Sequence, residues 1–329
     1  MPQRSYLEVN GKPVKVSNLS KVFYPATGFT KGDVIDYYIR IAPILLPHLK
    51  NRPISLKRYP DGVDGFFFYE KQCPPHHPQW VDTARVPSRR RQGFIDYCVM
   101  NDESALVWAA NLADLEMHTF LHRAPELEHP DFLVIDLDPG APADLVNCCE
   151  VALLLKTFFD RFDLQSFPKT SGSKGLQVYV PLNTKATYDV TKAFARTIAE
   201  HLESENPDSV TSKMQKNLRR GKVFVDWSQN DEHKTTVCVY SLRAKERPTV
   251  STPVSWKEVA DTAKKGDRDL LTFEAGDVLR RVKRKGDLFA PVLALRQRLP
   301  DTPITTANFH VRQSDKAAKN RSRQTHAAG

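Results

Sequence analysis

No run in this 329-residue chain approaches the about 20 consecutive apolar residues that a membrane-spanning helix needs. The opening stretch, MPQRSYLEVNGKPVKVSNLSK, has no apolar centre of the kind a secretory signal carries. Both absences lead us to expect a cytoplasmic protein. Cysteine is scarce: Cys73, Cys98, Cys148, Cys149 and Cys238 are an odd set with no pair at zinc-site spacing. Reduced thiols are therefore expected. The stretch KQCPPHHPQW offers Cys73, His76 and His77, but it lacks the fourth ligand of a structural zinc site. There is no internal repeat, and no G-x-x-x-x-G-K-[ST] phosphate loop.

What the chain does have is positive charge. Lysine and arginine number 48 against 39 acidic residues, a net +9 that favours an anionic partner. The charge is clustered in SRRR ending at Arg91, in SKMQKNLRRGK from Ser212 to Lys222, and in RRVKRKGD from Arg280. A solvated face explains any one cluster. Several of them on a chain that also carries an acidic site favour nucleic acid over a membrane surface. The last residues, VRQSDKAAKNRSRQTHAAG, are polar, basic and without periodicity, so residues 301–329 are expected to be a disordered tail.

Before that tail, helix and strand patterns alternate. TKGDVIDYYIRIAPILLPHL reads as a helix capped by Thr30, with Pro43 bending or ending it. RPISLKRY reads as a strand, and DESALVWAANLADLEMH as a helix with an apolar stripe. FLVIDLD, LQVYVPL, KVFVDW and TTVCVYSL read as strands, with ADLVNCCEVALLLKTFFDRF and YDVTKAFARTIAEHLES as helices between them. Shorter helices follow. The expectation is a mixed α/β chain with residues 1–300 as one folded unit. About 1–120 would form a smaller N-terminal lobe and 121–300 a second lobe, interleaving allowed, around a cleft.

DFLVIDLDPG, residues 131–140, holds two aspartates in an otherwise apolar strand. Strand side chains alternate, so Asp136 and Asp138 share a face while Ile135 and Leu137 point to a core. Two carboxylates held close repel each other unless a cation sits between them, and oxygen ligands suit Mg²⁺ or Mn²⁺. In KVFVDWSQND the same alternation puts Asp226 on the side opposite Val223 and Val225. A third carboxylate would complete a cup able to hold two ions about 3.5–4 Å apart, suited to phosphoryl or nucleotidyl transfer. The blander alternative is that the aspartates end a strand or cap a turn. A phosphatase or nuclease would use the same pair.

KTSGSKGLQVYVPL, residues 169–182, joins a turn to a strand. Gly172 and Gly175 free the backbone, and Ser171, Ser173 and Lys174 add hydroxyls and charge that could cradle phosphates. A plain β-turn is the alternative. Taken in order, DFLVIDLDPG, TSGSKGLQVYVPL and GKVFVDWSQND…KTTVCVYSLRAKERPTVSTPVSW closely resemble the polymerase domain of bacterial DNA ligase D, in the archaeo-eukaryotic primase superfamily. The resemblance runs from about Lys12 to about Leu299. No K-x-D-G nucleotidylation motif accompanies it, so the ligase part is not expected here.

The resemblance implies a two-lobed primase-polymerase fold with an RRM-like catalytic sheet. It implies metal-binding roles for Asp136, Asp138 and Asp226, with two Mn²⁺ or Mg²⁺ ions. For the nucleoside triphosphate it implies Ser171, Lys174, Arg243, Gln229, His118 near the sugar, and Lys57 on nucleotide or template. Many family members carry histidine at the position of Gln177. Glutamine can donate an amide hydrogen bond to a phosphate but brings no charge. Lys21 and Lys31 in NLSKVFYPATGFTKGD match the lysines that hold a 5′-phosphate at a DNA break. Phe68 and Tyr69 stand where a template base stacks, and Arg219 matches a primer or 3′-end contact. The implied activity is template-dependent extension of DNA ends, with ribonucleotides preferred, in bacterial end joining near the nucleoid. A Ku-type protein and a ligase would be partners, and a second copy could bridge the break. A primase starting without a primer and a non-catalytic end-binding module are the alternatives.

Overall fold

The computed structural model describes residues 4–88 and 92–300, and two large β-sheets organise it. Two hairpins come first: β1 (Arg4–Val9) with β2 (Lys12–Ser17), then β3 (Val22–Tyr24) with β4 (Phe29–Thr30). They lead into α1 (Lys31–Leu49). Thr30 caps this helix: its hydroxyl accepts from the Asp33 N–H, and its own N–H donates to the Asp33 carboxylate. Pro43 does not end the helix. Pro43 and Pro47 both lie inside it on the solvent side, where water can serve the carbonyls they leave unpaired. The buried stripe of Ile41, Leu45 and Leu49 holds the helix together across them.

The first sheet takes β5 (Pro53–Arg58), β6 (Phe68–Glu70), β7 (Asp82–Ser88), β8 (Gly93–Val99) and β9 (Asp114–Thr119). Between β8 and β9 lies α2 (Glu103–Asn111), shorter than its sequence suggests. The chain turns at Ala113, whose φ is 64°, and LADLEMH continues as β9. Both α2 and β9 are buried on nearly all sides, so apolar spacing does not mark the boundary between them.

The second sheet follows. Its elements are β10 (Phe132–Pro139), α3 (Leu145–Arg161), β11 (Phe167–Thr170), β12 (Leu176–Pro181), α4 (Tyr188–Glu205), β13 (Val210–Thr211) and β14 (Val223–Asp226). The strand order is β11-β12-β10-β14-β13, antiparallel except for β13 with β14. A 3-10 turn, Trp227–Gln229, closes β14. TTVCVYSL supplies only a two-residue strand, β15 (Thr236–Val237), which crosses back to pair with β9 in the first sheet. Beyond it the backbone leaves the strand conformation, and Tyr240 takes a φ of 63°. Among the described residues, three α-helices follow: α5 (Trp256–Lys265), α6 (Ala275–Lys285) and α7 (Pro291–Ala294).

Alternation along the second sheet decides where the chemistry sits. Leu133, Ile135, Leu137, Val178, Val223 and Val225 pack against residues of α3 and α4. Phe132, Val134 and Tyr179, on the other face, join one apolar cluster with α1, α2 and the first sheet. Asp136 and Asp138 extend that inner face toward the end of β10.

The cysteine expectation needs correction. Cys73 and Cys98 form a disulfide, their Cα atoms 4.9 Å apart, while Cys148, Cys149 and Cys238 are free and buried. Cys73 follows β6, and its N–H donates to the Asp96 carbonyl on β8, a cross-sheet proximity that a 25-residue separation does not reveal. The arginines ending at Arg91 and the tail 301–329 lie outside the described residues. Among the described residues, no helix is long and apolar enough to cross a membrane.

Candidate functional site

A single polar row crosses the second sheet. Lys169 on β11 stands opposite Gln177 on β12, Gln177 opposite Asp136 on β10, and Asp136 opposite Asp226 on β14. Asp138 lies two residues further along β10, opposite Phe224, so three carboxylates share one patch. Burial, then Asp138 and Asp226, push the Asp136 carboxyl above its usual range. Asp138 is raised by burial and by Asp226, with Arg219 and Arg243 opposing at a distance.

Asp226 is already engaged by its own turn. One oxygen accepts from the Ser228 N–H (2.9 Å) and hydroxyl (2.5 Å), and the other from the Gln229 amide (3.1 Å). Among the described residues, no three His, Cys, Asp or Glu side chains are closed into a ready ligand set. The donors are nonetheless all carboxylate oxygens, and Asp136 and Asp138 have no cationic side chain in contact among the described residues. That donor set fits a hard divalent cation.

The loop between β11 and β12 is built on Ser171. Its hydroxyl accepts from the N–H groups of Ser173 (3.2 Å) and Gly175 (3.1 Å). Gly175 is required by close approach, since a Cβ there would sit 2.1 Å from the Leu137 carbonyl oxygen. Lys174 projects into solvent. Arg243 donates to the Ser171 carbonyl, which fixes its guanidinium beside the loop.

A residue that sequence reasoning missed organises the basic side of the site. Glu116, on β9, is 1% exposed, yet it meets two cationic side chains and an imidazole. Lys57 Nζ lies 3.4 Å from it, His118 Nε2 3.1 Å, and Arg243 Nε 3.3 Å. The Ala244 N–H also donates to it at 3.0 Å. Burial alone would raise its pKa, but the His118 hydrogen bond and the charges of Arg243 and Lys57 hold it well below the usual range. Burial, aided by Arg243 and Lys57, lowers His118 despite the nearby Glu116, which favours the neutral ring. Glu116 and His118 are two apart in LADLEMH. Reading that stretch as a strand would have placed them on one face.

Aromatic rings border this cluster. Lys57 Nζ lies 4.7 Å from the Phe67 ring centroid and 5.6 Å from that of Tyr69, and Tyr69 meets His118 edge-on at 5.7 Å. Tyr69 is 51% exposed, while Phe68 is half-buried between Phe66 and Arg58. Phe68, Tyr69, Tyr97 and Phe120 line one groove of about 800 Å³.

The expected 5′-phosphate lysines are neighbours, joined by a backbone hydrogen bond from Lys31 to Lys21 (2.8 Å). Lys21 Nζ donates to Asp61 (2.7 Å) and to the Pro60 carbonyl (2.7 Å). Lys31 is buried, and its pKa is brought down to about 8 by burial, then by Lys21 and Arg58. Arg219 stacks 3.6 Å from the Phe224 ring centroid, which brings the basic loop to the acidic patch.

A family model described as "LigD, primase-polymerase domain" matches residues 30–289. The multifunctional non-homologous end joining protein LigD of Mycolicibacterium smegmatis is 39% identical over 88% of this chain, which spans 37% of that relative. The bifunctional non-homologous end joining protein LigD of Bacillus subtilis is 34% identical over 84% of the chain, covering 44% of its own length. The chain thus spans less than half the length of these curated relatives. The solved polymerase domain of Mycobacterium tuberculosis ligase D, in complex with DNA, superposes with a TM-score of 0.80 at 39% identity. That match covers 86% of this chain and 99% of the solved one.

Proposed function

The chain belongs to the LigD primase-polymerase domain family, and on that premise we propose a template-dependent nucleotidyltransferase that fills gaps or extends 3′ ends at 5′-phosphorylated DNA breaks. The observation that carries the reading is the strand register: Asp136 faces Asp226 with Asp138 beside them, and Arg243 links that patch to the Glu116 cluster.

In the reaction a primer 3′-oxygen bonds to the α-phosphorus, the α–β anhydride bond breaks, and pyrophosphate leaves as the hydroxyl proton is lost. Asp136, Asp138 and Asp226 would hold two Mn²⁺ or Mg²⁺ ions, which supply activation of the hydroxyl and neutralisation of the leaving group. The protein's own cations bind the triphosphate. Arg243 offers a planar fork fixed by Glu116 and the Ser171 carbonyl, Lys57 a point charge, and Lys174 a solvent-facing ammonium. Neutral His118 donates from Nε2 to Glu116, which leaves Nδ1 as an acceptor. An acceptor suits a sugar hydroxyl, and this supports a preference for ribonucleotides.

The exposed face of Tyr69, with Phe68, would stack a template base irrespective of its sequence. Lys21 and Lys31 would receive the 5′-phosphate, and Arg219 the primer end. A Ku-type end-binding protein and a ligase are the proposed partners, with a second copy bridging the break. The test is extension of a primed, gapped, 5′-phosphorylated DNA in Mn²⁺. Extension is expected with either sugar, faster with ATP than with dATP. No incorporation of either nucleotide would overturn the activity, and faster use of dATP would overturn the role given to His118.

A further inference from the structure

Lys169 is fully buried, yet among the described residues it makes no ion pair. An ammonium in that setting is costly unless its hydrogens are well used. Nζ donates to Oε1 of Gln177 at 2.5 Å and to Oγ of Ser251 at 2.7 Å, and it lies 5.5 Å from the Tyr179 ring centroid. Ser251 gives its own proton to the Thr170 carbonyl, 2.9 Å away, so lone pairs are what Lys169 meets.

This arrangement decides which way the Gln177 amide faces. Burial pushes the pKa of the Lys169 amine down to about 7, but charged or neutral it has hydrogens for both oxygens it meets, so it takes the amide oxygen, and the NH₂ points the other way. There Nε2 donates to Oγ1 of Thr236 at 2.9 Å. Gln177 also stands directly opposite Asp136, and its amide favours the charged form of that carboxylate. The side chain is 2% exposed. With its oxygen held by lysine and its nitrogen turned to Thr236 and Asp136, it has no group left for a triphosphate.

We propose that Lys169 and Gln177 are a positioning pair that sets the face Asp136 turns toward a divalent cation, in place of the phosphate contact expected of Gln177. The proposal rests on the reading of the acidic row as a cation site. Partners that orient a metal ligand typically matter about tenfold or more in metal affinity.

The probe is Mn²⁺ alone, titrated into the full chain without nucleotide and followed by calorimetry or by loss of the free-ion EPR signal. Below about pH 7, where Lys169 keeps its charge, that charge by itself repels a cation, so a purely electrostatic role would make Lys169→Met tighten Mn²⁺ binding there. The positioning role predicts the opposite. Lys169→Met and Gln177→Met each weaken Mn²⁺ binding by about tenfold, and the double variant is no worse than either alone, as members of one unit behave. Lys169→Arg, which keeps the donors, recovers most of the affinity. In primer extension at saturating Mn²⁺, kcat falls while the KM for nucleotide stays put.

The double variant leaves neither partner buried without the other, so it can be read even if a single variant misfolds. Unchanged or tighter Mn²⁺ binding in the double variant overturns the proposal alone. So does a raised nucleotide KM in Gln177→Met with Mn²⁺ binding intact. Wild-type protein that binds no Mn²⁺ overturns the proposal together with the cation-site reading.

Discussion

Two acidic clusters, one on each sheet, handle buried charge in opposite ways. In the first, Glu116 is surrounded by Lys57, His118, Arg243 and a backbone N–H, and its ionised form is strongly favoured. In the second, Asp136 and Asp138 lie together beside Asp226, and burial and repulsion disfavour their ionised forms. The first cluster is electrostatically complete within the protein and serves to hold cations still. The second stores unfavourable charge, an arrangement that makes sense where an outside cation is to be gripped. Strain of this kind is a usual mark of a working site, and stability is given up for it.

That contrast gives opposite signs on removing a charge. Glu116→Gln should destabilise the fold by about 3 kcal/mol, because it leaves the partly buried Lys57 and Arg243 without their counter-charge. It should also raise the KM for nucleotide as Lys57 and Arg243 spread apart. Urea unfolding and steady-state kinetics read the two effects, and an unshifted midpoint would remove Glu116 from its organising role. Asp136→Asn should do the reverse in metal-free buffer, stabilising by up to about 1 kcal/mol by removing a buried charge and its repulsion with Asp138 and Asp226. A destabilised Asp136→Asn would mean that the row is not under strain.

A smaller effect is expected at the lysine pair. With its pKa lowered to about 8, Lys31 is charged below that pH and loses its charge as pH rises through it. The advantage of 5′-phosphorylated over unphosphorylated DNA in binding should therefore shrink above about pH 8. A fluorescence-anisotropy ratio that stays flat across that range would place the phosphate elsewhere.

The acidic strands were legible because a period of two is short. FLVIDLD and VFVD each show their face within a few residues, and the core they pack on is rich in branched apolar side chains. Thr30 was equally legible, since a capping box is a local pattern. Glu116 was not, because LADLEMH keeps its apolar count whether wound or extended, and only pairing with β5 and β15 settles it. The Cys73–Cys98 bridge and the orientation of Gln177 depend on what lies across a sheet. No spacing along the chain encodes either.

The most direct test of the account is extension of a primed, gapped, 5′-phosphorylated DNA by the Asp136→Asn protein beside the wild type, with DNA binding measured on the same samples. The account predicts that extension falls by at least about a thousandfold, the scale on which a fixed charge-stabilising group counts, while 5′-phosphate-dependent binding is retained. Extension at the wild-type rate would contradict it.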